Sequence, residues 1–174
     1  VIKKSSPDGN STTFKYDKYD HLVETCKYKR DKLVSTLTKE RASDGTLLVS
    51  TLTDANDKII RQVDEKTGFV MVETLGDYKY EYKDGVCVKS ELAEALKGQI
   101  DGLSWDKTEL ANLVSDINEA NVVSVLNAYS KLSPGETLED AISNERLFTE
   151  KVVYEHLNDL LKRMVQQAKY DGVK

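Results

Sequence analysis

The first half of the chain alternates polar and apolar residues in short segments separated by turn-forming residues. The hexapeptide Leu-Val-Ser-Thr-Leu-Thr occurs at 33–38 and again, unchanged, at 48–53, each time after a polar turn segment. Looser copies lie at 20–25 and 57–62. A period of two is typical of β-strands, and it divides Leu, Val, Ser and Thr between both faces. We therefore predict a sheet that is partly wet on both sides.

The alternation continues in three further segments, 68–74, 78–83 and 86–89. The turns between them are short, and Asp84-Gly85 is a dipeptide that favours a two-residue hairpin. Such connections leave no room for crossover helices, so we predict an antiparallel meander.

The hydrophobic period changes from two toward 3.6 at Ser90, which is a suitable N-cap for a helix that Gly98 would end. Further helix starts are indicated by the capping-box pattern at 106–109 and by Asn118, and a long apolar stripe runs from 153 to 168. Five helices are predicted in all.

Strands followed by helices define the α+β class. The prediction is an N-terminal antiparallel β-meander followed by a C-terminal five-helix bundle. Residues 1–11 are expected to form a flexible lead-in, residues 12–89 the meander and residues 90–174 the helical domain. Because the chain begins with Val1 rather than Met, we expect it to be a processed or excised piece of a longer protein.

Charge is distributed unevenly over the chain, whose net charge is −5. Residues 1–90 hold 16 Lys and Arg against 15 Asp and Glu, whereas residues 91–174 hold 9 against 15. Such a chain lacks the excess of cations that phosphate neutralisation needs, so a nucleic-acid partner is not expected. No run approaches the roughly 20 apolar residues of a spanning helix, so a membrane-embedded protein is excluded. The favoured interpretation includes no membrane partner.

The reactive side chains do not form a recognisable catalytic or metal-binding motif. Cys26 and Cys87 lie in strand-like segments without metal-ligand spacing, so they are either two free thiols or one disulfide between strands. His21 is predicted on a strand and His156 on the last helix, which gives no histidine cluster. No cofactor is predicted.

The Tyr/Asp cadence of the first half, for example Tyr-Asp-Lys-Tyr-Asp at 16–20, resembles the YD-type β repeats of large bacterial surface and toxin-delivery proteins. This resemblance implies a bacterial parent protein that is surface-associated or secreted. An extracellular or cell-surface location is the corresponding expectation.

Residues 91–165 resemble a single annexin-type repeat. The segments that carry the resemblance occur in the family's order: Leu96-Lys97-Gly98, the helix at 110–116, Val-Leu-Asn-Ala-Tyr at 125–129 and the segment 135–142. The resemblance implies binding of calcium and acidic phospholipid through a loop after the first helix and a distal carboxylate, which maps to Glu145. The loop at 97–106 is longer than in the family and lacks its Gly-x-Gly-Thr motif.

Aromatic residues provide the candidate ligand-binding positions. Tyr78, Tyr80 and Tyr82 share one strand face, where they either stack on a sugar or aromatic ligand or cover the packed side of the sheet. Trp105, the only tryptophan, lies in the loop between the first two helices. It either fills the seam between the two halves or contributes to a ligand patch.

The sequence favours a non-catalytic binding or scaffolding module, whose partner would be a protein or a glycan. The letter-for-letter repeat supports this hypothesis, because repeats commonly build extended interaction surfaces. Two alternatives remain open: a calcium-dependent membrane-binding module, and a hydrolase with a site between the two halves. The oligomeric state is not predicted.

Overall fold

The computed structural model of the protein describes residues 1–102, 107–144 and 151–173. Nine strands form one antiparallel sheet in which the spatial order follows the chain order. The predicted α+β class, with a β-meander before the helices, is confirmed. The strands are β1 (Ile2–Ser5), β2 (Asn10–Tyr16), β3 (Leu22–Lys29), β4 (Lys32–Arg41), β5 (Leu47–Asp54), β6 (Ile59–Asp64), β7 (Val70–Leu75), β8 (Tyr78–Lys83) and β9 (Val86–Ser90).

Five helices follow the sheet in the described ranges. They are α1 (Glu91–Asp101), α2 (Lys107–Ser115), α3 (Val122–Leu132), α4 (Leu138–Asn144) and α5 (Lys151–Val173). Within the part of the chain that the structure describes, none of these helices combines the length and apolar character needed to cross a bilayer.

Tight turns join the strands, and several use an aspartate or glycine in the left-handed region. Asp20 and Asp57 have φ values of 62°, and each follows an aspartate whose carboxylate accepts backbone N–H bonds inside the same turn. A short polar side chain tolerates this conformation better than other L-residues do, because it hydrogen-bonds locally. The D-x-x-D pattern at 17–20 and 54–57 is therefore the sequence signal of these two hairpins.

The N-terminus differs from the sequence prediction. Residues 1–11 were expected to be a lead-in, yet β1 pairs with β2 from Ile2↔Phe14 to Ser5↔Ser11. The Ser-Ser-Pro-Asp-Gly segment that suggested a lead-in is the hairpin turn, in which the Gly9 N–H donates to the Ser6 carbonyl. These turn-forming residues therefore mark a hairpin within the sheet and not a flexible segment before it.

The chain divides into two compact units. The first comprises residues 1–77 with 82–85, and the second comprises residues 78–81 with 86–174. Within residues 1–77 the only buried residue is Ser11; the apolar side chains of β1–β7 are half-buried or exposed. The prediction of a sheet that is partly wet on both faces is confirmed for these strands.

The second unit contains the described apolar core. Strand β9 packs against α1 and α3, and α5 contacts α2 and α4. Fully buried side chains include Tyr80 and Cys87 from the strands and Leu96 and Tyr129 from the helices. Helix α1 begins as predicted, because the Ser90 hydroxyl accepts a hydrogen bond from the backbone N–H of Ala93.

Helix α1 ends later than predicted. Gly98 lies inside the helix, which continues to Asp101 with Gly102 as its C-cap. A helical glycine costs about 1 kcal/mol relative to alanine, but it does not stop a helix whose preceding turn is buried. The Lys97 ammonium and Asp101 carboxylate form an i,i+4 ion pair of 2.8 Å across the predicted end.

Candidate binding surface

One face of the first unit carries a continuous row of directly paired residues across seven strands. Direct cross-strand partners point to the same face, so the register defines the row, which we call the central row. Its members, from β1 to β7, are Ile2, Phe14, Thr25, Leu37, Leu52, Arg61 and Glu73. The middle of the row is thus apolar and its β6–β7 end is charged.

The two copies of the repeated hexapeptide pair with each other in the centre of the sheet. Leu37 of the first copy faces Leu52 of the second, and Thr38 faces Thr51. Because neighbouring residues point to opposite faces, the leucines meet on the central-row face and the threonines meet on the other. The repeat therefore generates one apolar patch and one hydroxyl-rich patch from the same two strands.

A shallow depression of about 300 Å³ lies on the central-row face over β4, β5 and β6. We call it the groove. Leu37, Leu52 and Val63 supply its apolar lining, and all three are half-buried. The other lining residues are Lys39, Ser50, Arg61 and Glu65. The groove is accordingly an aliphatic surface, reachable from solvent, with charged side chains around it.

The cations of this face have no partner among the described carboxylates. Lys39 and Arg61 line the groove, and Lys27 lies on the same face because it pairs with Ser35, two residues before Leu37. Within residues 1–102, all of which are described, none of these three cations forms an ion pair. Their charges are therefore available to a bound molecule.

Two of the carboxylates on this face already have hydrogen-bond donors. Asp54 accepts the backbone N–H groups of Asn56 and Lys58 in its turn, at 2.8 and 3.0 Å. Glu73 accepts the Tyr82 hydroxyl at 2.6 Å. Neither carboxylate lines the groove, whose lining holds two cations, Lys39 and Arg61, and one carboxylate, Glu65.

The three tyrosines that were predicted to share a strand face have different surroundings. Tyr80 has no exposed surface, whereas the Tyr78 hydroxyl donates to Asp116 Oδ2 at 2.6 Å and the Tyr82 hydroxyl donates to Glu73. A ring without exposed surface offers no face to a ligand, so a ligand stacked on all three rings would require Tyr80 to leave the core. Ligand binding by Tyr78 and Tyr82 alone stays a prediction.

The other predicted positions give no site. Trp105 and Glu145 lie outside the described residues. Cys26 and Cys87 are both free thiols, the first half-buried and the second buried. Among the described residues no cluster of three or more His, Cys, Asp or Glu side chains is arranged to hold a metal ion.

The shifted carboxylates lie in turns rather than in the groove. The backbone N–H of His21 is the main cause that lowers the pKa of Asp17, with a further bond from Tyr19. Hydrogen bonds from Thr46 lower the pKa of Asp44, and the Ser6 hydroxyl does so for Asp8. These shifts mark structural turns, because each carboxylate is used to hold its own hairpin.

The Asp17 turn should be sensitive to acid. Its folded pKa is lower than the ordinary value of 3.8, so the ionised carboxylate stabilises the fold above that pH, and this contribution is lost as the pH falls through the folded pKa. We expect Asp17→Asn, which keeps the hydrogen-bond acceptor, to reduce the loss of stability on acidification. Urea unfolding of the wild type and of Asp17→Asn at about pH 6 and about pH 3 gives the stability that each protein loses on acidification. If the wild type loses no more stability than Asp17→Asn, the role assigned to the Asp17 carboxylate is wrong.

Sequence reasoning did not identify the groove. The repeat that contributes Leu37 and Leu52 was found, but the sequence did not show that the two copies pair with each other. Strand β4 pairs with β3 through a bulge between Lys27 and Tyr28, and β5 pairs with β6 through another between Leu52 and Thr53. Bulges change the register of the strand that carries them. The sequence alone therefore did not show which residues line the groove.

Among known proteins, neither the family models nor the curated sequences include a match to this chain.

Proposed function

We propose that this protein is a non-catalytic binding module and that the groove on the central-row face is its binding surface. The observation that carries the proposal is the open sheet: strands β1–β7 bury no large apolar side chain, yet they gather Leu37, Leu52 and Val63 in one depression. Apolar surface that the fold leaves partly in water is stabilised by contact with a partner.

The face is a better docking surface than the sheet edge. Strand β1 has only four residues, all exposed, and two of them are Lys3 and Lys4. Short edge strands with lysines disfavour the addition of a further strand. The groove instead presents side chains from three strands whose backbone groups are already paired in the sheet.

The proposal is tested by binding to an array of octapeptides that covers both alternating and non-alternating patterns of apolar residues. We expect the wild-type protein to bind a subset of alternating peptides. Leu37→Asp combined with Leu52→Asp should weaken this binding by roughly tenfold or more, a loss of about 1.4 kcal/mol, because charged side chains would replace the apolar lining.

The matched control is Thr38→Asp combined with Thr51→Asp, which places two carboxylates on the opposite face of the same strand pair. We expect this variant to bind like the wild type, and far-ultraviolet circular dichroism verifies that both variants keep the sheet. The proposal is overturned if the wild type binds no peptide, or if the two double variants bind equally well.

A further inference from the structure

We infer that the groove selects an extended, acidic peptide segment in which apolar side chains alternate with carboxylates. This inference rests on the proposed function and specifies the chemistry of its partner. The aliphatic lining would take the apolar side chains, and the unpaired cations around it would take the carboxylates.

The dimensions of the groove suit an extended chain. Neighbouring strands lie about 4.8 Å apart, so the distance from β4 to β6 is about 10 Å, the length of roughly three extended residues. In an extended peptide every second side chain points the same way. One or two apolar side chains can therefore face Leu37, Leu52 and Val63. The intervening carboxylates point away from the sheet, so the long side chains of Lys39 and Arg61 must extend beside the peptide backbone to reach them.

The charges of the groove set the preference for acidic residues. Two of its lining residues, Lys39 and Arg61, are cations and one, Glu65, is a carboxylate. The register places the two cations at opposite corners of the lining, Lys39 on β4 in the row of Ser50 and Val63, and Arg61 on β6 in the row of Leu37 and Leu52. A basic peptide would instead bring like charges together at Lys39 and Arg61.

The lining favours a protein segment over a glycan and over a lipid surface. Sugars are held by stacking on aromatic faces, and none of the seven lining residues is aromatic. Binding to a bilayer requires apolar side chains that protrude into the acyl boundary, but Leu37, Leu52 and Val63 are half-buried in a depression. A narrow peptide can enter this depression.

The test uses two labelled octapeptides, one alternating Glu with Leu and the other alternating Lys with Leu, measured by fluorescence anisotropy. We expect the wild-type protein to prefer the acidic peptide by roughly tenfold at low salt, the sum of a few exposed charge pairs of about 0.2–1 kcal/mol each. The preference should shrink as salt screens the charges.

The diagnostic variant is Lys39→Glu combined with Arg61→Glu, which should reverse the preference in favour of the basic peptide. The matched control is Lys3→Glu combined with Lys15→Glu. These lysines lie on the opposite face, since Lys3 pairs with Thr13 and Lys15 pairs with Glu24. The control changes the net charge equally, and it should retain most of the acidic preference.

The outcomes separate this inference from the proposed function. If Leu37→Asp with Leu52→Asp abolishes peptide binding but charge reversal at Lys39 and Arg61 leaves the preference unchanged, the groove binds and the acidic specificity is wrong. If the opposite-face control reverses the preference as strongly, net charge rather than the groove is responsible, and the inference is overturned. Groove-dependent binding to phosphatidylserine vesicles without binding to either peptide would replace the peptide with a lipid surface and also overturn it.

Discussion

Leu96→Ala should lower the free energy of unfolding of the helical unit by about 2–5 kcal/mol, the range for deleting a fully buried leucine side chain. Leu96 has no exposed surface and lies on α1, which packs against α2, α3 and β9. The truncation removes apolar burial and leaves a cavity that rigid neighbours fill only in part. Urea unfolding followed by helical circular dichroism measures the loss.

The control for this prediction is Leu132→Ala, the same chemical change on α3 at a side chain that is 41% exposed. We expect it to cost less than about 1 kcal/mol, because little apolar surface returns to water. Equal losses for the two variants would show that burial of Leu96 does not stabilise the unit as the structure indicates.

Gly45→Ala should destabilise the sheet unit by about 1–3 kcal/mol. The glycine has φ +88°, a conformation that strains L-residues, and an added Cβ would lie 2.7 Å from Cε1 of the His21 ring. His21 Nδ1 lies 3.3 Å from Asp17 Oδ2 and the imidazole lies beside the Tyr19 ring, so moving the ring away from the added Cβ would disturb both contacts. Thermal or urea unfolding of the variant measures the effect.

Two comparisons separate the cost of backbone strain at Gly45 from the cost of the close approach between the added Cβ and the His21 ring. Gly68→Ala also introduces a side chain at positive φ, +76°, but its Cβ would meet nothing within 4 Å, so we expect only the backbone strain of about 1 kcal/mol. In a His21→Ala background, Gly45→Ala should cost only the backbone strain, because the added Cβ no longer approaches an imidazole ring. If Gly45→Ala costs the same with and without His21, the close approach of the two hairpins contributes nothing to stability.

The sequence was a good guide to local structure because local structure follows from short-range preferences. The period-two segments became strands, and the change of period at Ser90 coincides with the start of α1. The aspartates at 17 and 54 hold their turns through bonds to residues two and four positions later. Interactions over so few residues are determined by the segment itself.

The sequence was a poorer guide wherever a residue's environment depends on distant parts of the chain. Tyr78, Tyr80 and Tyr82 share a strand face, but only the fold shows that Tyr80 is fully buried while the Tyr82 hydroxyl bonds to Glu73. Glycine is common at the C-terminal end of a helix, yet α1 continues through Gly98 to Asp101. Tertiary packing overrides weak local preferences of about 1 kcal/mol.

The amino-acid sequence by itself determined the order of strands and helices, because backbone preferences and hydrophobic periodicity operate within each segment. Only the tertiary structure decided that Leu37 faces Leu52, and that Val63 joins them in a groove that Lys39 and Arg61 also line. That arrangement depends on strand register, which bulges shift by single residues and which is set by the pairing of neighbouring strands rather than within any one segment.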